Sequence, residues 1–145
     1  MALPSLHTTF SIDQAVMGEE NQNKVVCLRM GRDFDPDCMM MDEVLKSAQP
    51  TVEPLCAIYT VDVREVPQCI QEFQLAGPSP IALMFFFRGR PIQLDLGEGK
   101  RGAKITWALG NQQEFLDLCE AFCRGAQQGR EVVTAPRDYS VQGRY

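Results

Sequence analysis

The sequence predicts an α/β fold, with a central mixed sheet of four or five strands flanked by helices. Three observations carry that prediction. Short apolar runs of strand length alternate with stretches of helical periodicity, in the order helix, strand, helix, strand, helix, strand, strand, helix. Helical segments separate the early strands, and such crossovers imply parallel pairing. The last two strands are joined by a tight turn, which implies an antiparallel edge.

Each element has its own signal. Ser11 to about Gln22 reads as a helix, with Ser11 as cap and Gln14 completing a capping box; Ile12, Ala15, Val16 and Glu19 share one face. "VVCLRM", residues 25–30, is nearly continuous in apolar residues and suits a strand buried on both faces. Arg29 interrupts it and is expected at the strand end, paired or in water. The next helix starts at Asp35-Pro36, aspartate as cap and proline as first helical residue. Cys38, Met41, Val44, Leu45 and Ala48 line one of its faces, and Pro50 is expected to end or kink it near Gln49. "CAIYTVDV", residues 56–63, is a second strand. Pro67 opens a short helix with Ile70 and Phe73 inward, broken at Gly77-Pro78-Ser79-Pro80. "ALMFFFRGRPIQLDLG" reads as a hairpin turning at Arg88 to Pro91, and "GEGKRGAK" as a polar loop. A last helix runs from about Asn111 to Arg124, with Asn111 and Glu114 in capping positions and Phe115, Leu118, Cys119 and Phe122 buried. The remainder is expected to be irregular. The organisation is therefore one domain, residues 1–125, and an extension, 126–145, that packs on the domain or docks on partners.

Composition narrows the function. The chain has 145 residues, 45% of them apolar, which supports a single buried core. A formal charge of −5 argues against a general nucleic-acid binder and leaves room for a local basic patch. No apolar run approaches the length of a membrane span, and no secretory leader is expected in "MALPSLHTTF". The six cysteines form no C-x-x-C pair and no zinc spacing; with no export signal expected, the thiols should be reduced. No cofactor and no metal site is expected.

"GRDFDPDC", residues 31–38, is the stretch closest to a reactive site. A dithiol oxidoreductase of the thioredoxin kind places an attacking thiolate at a helix N-terminus and a resolving thiol two residues on. Here Asp35 stands at the first position and Cys38 at the second. A carboxylate can cap the N–H groups of Asp37 or Cys38, but it cannot attack a disulfide. Asp33 and Asp37 add negative charge that opposes a thiolate at Cys38. Cys38 also falls on the apolar helix face with Met41 and Leu45. Asp33, Asp35 and Asp37 lack the glycine and closing glutamate of a calcium loop. His7, the single histidine, has no nucleophile near it in sequence.

The segments "VVCLRMGRDFDPDCMMMDEVL", "AIYTVDVREVP", "MFFFRGRPIQLDLGEG", "ITWAL", "RGAQQGREVV" and "PRDYS", with terminal "RY", together resemble the Dim-one family. That family is the small thioredoxin-like protein of the spliceosomal U-five small nuclear ribonucleoprotein. The resemblance runs from about Ile12 to Tyr145. It implies a thioredoxin-like fold whose redox loop is degenerate at Asp35, Pro36 and Cys38. It implies a nuclear, non-enzymatic splicing factor of the U-five snRNP and tri-snRNP, a scaffold in spliceosome assembly and activation. The implied partners are tri-snRNP proteins, including the large U-five scaffold protein, and RNA near the 5′ splice site. The chain departs from the family before "MFFF". There the family often carries a cysteine that could pair with the position of Cys38, and this chain has Ser79, Pro80 and Ile81, which removes that disulfide. The extra proline leaves open whether Pro80 fills the cis-proline position of the fold.

Two basic stretches are the candidate partner or RNA contacts. Arg88, Arg90, Lys100, Arg101 and Lys104 cluster on the hairpin turn and the following loop; Arg124 and Arg130 lie in the tail. Each has an alternative as a solvated or self-packed surface. Two other functions stay open on the residues alone: a one-cysteine thiol redox protein using Cys38, and a thioredoxin-like chaperone or adaptor. A monomer is the expected free state.

Overall fold

The computed structural model describes residues 2–137 and Tyr139. Its centre is β1 (Val25–Gly31), whose seven residues are all buried. β1 pairs in parallel with β2 (Cys56–Asp62), from Val25 opposite Cys56 to Gly31 opposite Asp62. On its other side it pairs antiparallel with β3 (Ile81–Phe87), from Val25 opposite Phe87 to Gly31 opposite Ile81. The short β4 (Arg90–Pro91) and β7 (Lys104–Ile105) continue the sheet beyond β3. The antiparallel strand is thus internal, and not the edge that the sequence suggested.

Side-chain alternation divides the core in two. Val25 and Cys27 of β1, Ile58 of β2 and Phe85 of β3 face α2 (Pro36–Val52) and α4 (Gln112–Gln127). Phe85 lies 4.0 Å from Phe122, centroid to centroid and nearly coplanar, and 6.1 Å from Phe115. Val26, Leu28 and Met30 face α1 (Thr9–Met17) and α3 (Gln68–Glu72). Burying such strands on both sides explains their unbroken apolar sequence.

Several boundaries differ from the sequence reading. Thr8, not Ser11, caps α1: the Thr8 side chain accepts the Ser11 N–H, and the Ser11 hydroxyl accepts the Thr8 N–H. Thr and Ser three apart make this reciprocal box as well as the Ser11–Gln14 pair expected. The helix ends at Met17, before a 3₁₀ turn over Glu19–Asn21, and Glu19 is exposed. Pro50 lies inside α2 and does not stop it, because Pro50 is exposed while Ala48 and Val52 are anchored in the core. In α3, Cys69 points inward and Ile70 outward, since the turn begins after Pro67 and shifts the inner face by one residue.

The second half of the hairpin leaves the main sheet at Ile92. β5 (Gln93–Gly97) pairs with β6 (Lys100–Gly102) and, in parallel, with β8 (Val132–Thr134). The expected polar loop therefore contains β6 and β7, and the expected irregular tail contains β8. α4 runs to Gln127, past the boundary at residue 125. Gly125 allows this docking: a Cβ there would lie 2.2 Å from Val133 Cγ1. Residues 138, 140 and 141–145, part of the expected docking tail, lie outside the described residues. Among the described residues no peptide bond is cis, that of Pro80 included.

Candidate functional site

The loop from Gly31 to Cys38 sits where β1 ends and α2 begins. Asp35 is the N-cap residue and Pro36 the first helical residue. Asp35 does not cap with its side chain: Oδ2 accepts from Arg32 Nε at 3.0 Å, which turns the carboxylate away from the helical N–H groups. The Arg32 guanidinium also donates to Ser79 Oγ at 2.8 Å, joining the loop to the segment before β3. Cys38 is fully buried and packs on Gly31; a Cβ on Gly31 would stand 2.3 Å from its Sγ. Burial pushes the Cys38 thiol up to about 11; Arg29 favours the thiolate, but Asp42, Asp35 and Asp33 oppose it. A group titrating there is neutral at physiological pH and is a weak nucleophile. His7 is bonded to Glu65 at 2.6 Å and takes no part in this loop.

Beneath the loop lies an ion-pair network whose acidic partners and depth the sequence did not reveal. Of the two outcomes expected for Arg29, paired or in water, the structure has the first: it sits near the end of β1 at 1% exposure. It stays charged because α2 brings Asp42 over the same sheet face: Nε and Nη2 donate to the two Asp42 oxygens at 2.8 and 2.9 Å. Nη2 also reaches Asp33 at 2.7 Å. Beside it, Asp62 at the end of β2 accepts from Arg64 side chain and backbone and from the Asp33 N–H. The Arg64 side-chain hydrogen bond is the main cause that lowers Asp62 to about 2. The Arg64 guanidinium covers the exposed Phe34 ring at 4.4 Å. The alternation of β1 carried one usable signal: residues 25, 27 and 29 share the α2 face, so Arg29 required an acid from α2.

The basic residues separate into three places. Arg88, Arg90 and Arg130 line one hollow of about 340 Å³ between the β3–β4 turn and the turn after α4. Arg101 lines an adjoining hollow of about 530 Å³ that shares Arg90 and Glu131. Lys104 is elsewhere, donating to the Gln74 carbonyl at 2.7 Å. Arg124 pairs with Glu120 on a separate groove beside α4, and Lys100 is held within β6. β8 is what brings Arg130 to Arg88 and Arg90, which is why the sequence placed them in two unrelated stretches.

A third cluster is made of thiols. Cys27, Cys56, Cys119 and Cys123 meet between the sheet and α4, with Cys119 and Cys123 Sγ atoms 3.9 Å apart. The S–H groups of Cys119 and Cys56 favour the thiolate of Cys123 and lower it, while burial raises Cys27. Among the described residues no three His, Cys, Asp or Glu side chains are placed to hold a metal ion.

Residues 2–139 match the family described as "Mitosis protein DIM1". The chain is 40% identical over 143 residues to "Mitosis protein dim1" of Schizosaccharomyces pombe, covering 99% of this chain and 97% of that one. It is 33% identical to "Spliceosomal protein DIB1" of Saccharomyces cerevisiae, covering 95% and 93%. Among solved structures, a thioredoxin mutant from Halobacterium salinarum superposes with a TM-score of 0.61 at 16% identity, covering 84% of this chain and 91% of that one. That likeness shows the thioredoxin fold.

Proposed function

This chain belongs to the DIM1 family, and on that premise we propose that it is a pre-mRNA splicing factor that works by binding and not by catalysis. The observation that carries the reading is the full-length match to spliceosomal relatives. The loop supports its non-catalytic half. The position of the attacking thiol is held by Asp35, tied to Arg32, and the remaining Cys38 is buried with its pKa pushed up to about 11. Thiol–disulfide exchange needs two accessible sulfurs, one of them a thiolate.

In this reading the protein is a nuclear component of the U-five snRNP and the tri-snRNP. It acts as a scaffold whose partners are tri-snRNP proteins, the large U-five scaffold protein among them, and it is a monomer when free. The ion-paired loop serves as a rigid corner of the docking surface. The stretch 126–145 divides between packing on the domain, through β8, and contact with partners. Immunoprecipitation of the native protein tests the reading: small nuclear RNAs and tri-snRNP proteins should co-purify. Recovery without them, from a cytosolic fraction, would overturn it.

A further inference from the structure

We infer that the cleft between the β3–β4 turn and the turn after α4 is a track for the phosphates of single-stranded RNA, and that Glu131 restrains it. The inference rests on the spliceosomal reading only for the choice of RNA as ligand.

The cleft is built from two distant parts of the chain. Phe87 and Arg90 pair across a two-residue turn in which Arg88 and Gly89 both have positive φ, 51° and 84°. Such a turn carries both arginines at one end of the hairpin, where Arg88 Nε also donates to the Gln22 carbonyl at 3.2 Å and keeps its terminal nitrogens for a ligand. From the other wall comes Arg130, positioned by Gly129 with φ 73° and by its N–H donating to the Gly125 carbonyl. Arg101 continues the same edge in β6. Guanidinium groups spread over two joined hollows suit an extended chain of phosphates; a single phosphate group would call for convergence on one point. The Arg88 guanidinium lies over the half-buried Phe87 ring, 5.0 Å from its centroid, which braces this arginine at the mouth of the cleft. The chain as a whole is acidic, with a formal charge of −5, so attraction for a polyanion depends on local clusters of cations such as this one.

Glu131 lies inside the cleft and holds Arg90 at 3.3 Å, with both side chains largely exposed. A phosphate entering must displace this carboxylate and is repelled by it. Removing the charge while keeping the shape should therefore improve binding, an effect that misfolding cannot imitate.

The test uses the purified full chain and the anisotropy of a labelled oligouridylate. Between about 50 and 200 mM salt the affinity should fall with a log–log slope of about −2 to −3, as for three or four neutralised phosphates on a single strand. Arg90→Ser and Arg88→Ser should each weaken binding about tenfold, and Glu131→Gln should tighten it about threefold. Arg124→Ser, on the separate groove, should leave it unchanged. Unchanged affinity in Glu131→Gln, or equal loss in Arg124→Ser, overturns the inference. Stronger competition by a phosphoserine peptide than by unlabelled RNA also overturns it and assigns the cleft to a protein. If RNA binding is absent while tri-snRNP proteins still co-purify, the cleft proposal fails and the splicing reading stands.

Discussion

Arg29 shows how one residue can decide the local structure. Its guanidinium is almost fully removed from water, so its charge depends on Asp42, which takes two hydrogen bonds, and on Asp33, which takes one. Asp42 is 18% exposed and Asp33 46%, so solvent can replace Asp33 far more easily than Asp42. Asp42→Ala should therefore cost about 3 kcal/mol or more in urea denaturation, because it strands a buried cation, and Asp33→Ala less than about 1 kcal/mol. Equal losses would show that the pair is not buried in the way described. Gly31 is the second decisive position. A methyl group there would collide with Cys38 Sγ and stand 3.0 Å from the Pro80 carbonyl oxygen. Gly31→Ala should destabilise by about 2–3 kcal/mol, and adding Cys38→Ala should recover part of that loss. No recovery would place the constraint in the backbone and not in the thiol. The glycine was visible in the sequence, but its neighbour across the loop was not.

At the level of elements, legibility followed periodicity. The Asp35-Pro36 start of α2, the Asn111 cap of α4 and the apolar runs of β1 to β3 were readable, because each is set by local chemistry or by burial on both faces. β6, β7 and β8 were not, since two or three residues contain no period and pair only through tertiary contacts. Their absence from the sequence reading hid the arginine cleft, which exists only once β8 lies beside β5. The α4–β8 contact gives a direct test. Gly125→Ala would drive a methyl group into Val133, so amide exchange at Gln93 and Ala135, which bond across this junction, should speed up while β1 stays protected. Uniform exchange throughout the sheet would contradict local docking. The thiols on α4 give another. Cys123 lines an open groove beside α4 and is favoured as thiolate by Cys119 and Cys56, whereas Cys38 is sealed in the core. Iodoacetamide should therefore label Cys123 before Cys38, read by peptide mass. Prior labelling of Cys38 would revive a one-cysteine redox role.

For the molecule as a whole, the acidic balance makes the few strongly held carboxylates important to its pH response. Asp62 is the clearest case: the Arg64 side-chain hydrogen bond, assisted by backbone N–H groups of Arg64 and Asp33, lowers it to about 2. Its pKa is depressed on folding, so the native state binds fewer protons than the unfolded chain between the two values. The stabilisation is complete above the unfolded value of about 4 and is lost as pH falls through about 2. Arg64 is half exposed, which limits the size of the effect through solvent screening. The melting temperature should consequently drop more steeply from about pH 4 to about pH 2 in the parent protein than in Asp62→Asn. The variant should begin lower at neutral pH, and the two curves should approach each other in acid. Above about pH 5 Asp62 is ionised in the folded and the unfolded chain alike, so the gap should be constant there. Parallel curves down to the acid limit would mean that Asp62 is not held by Arg64 in solution.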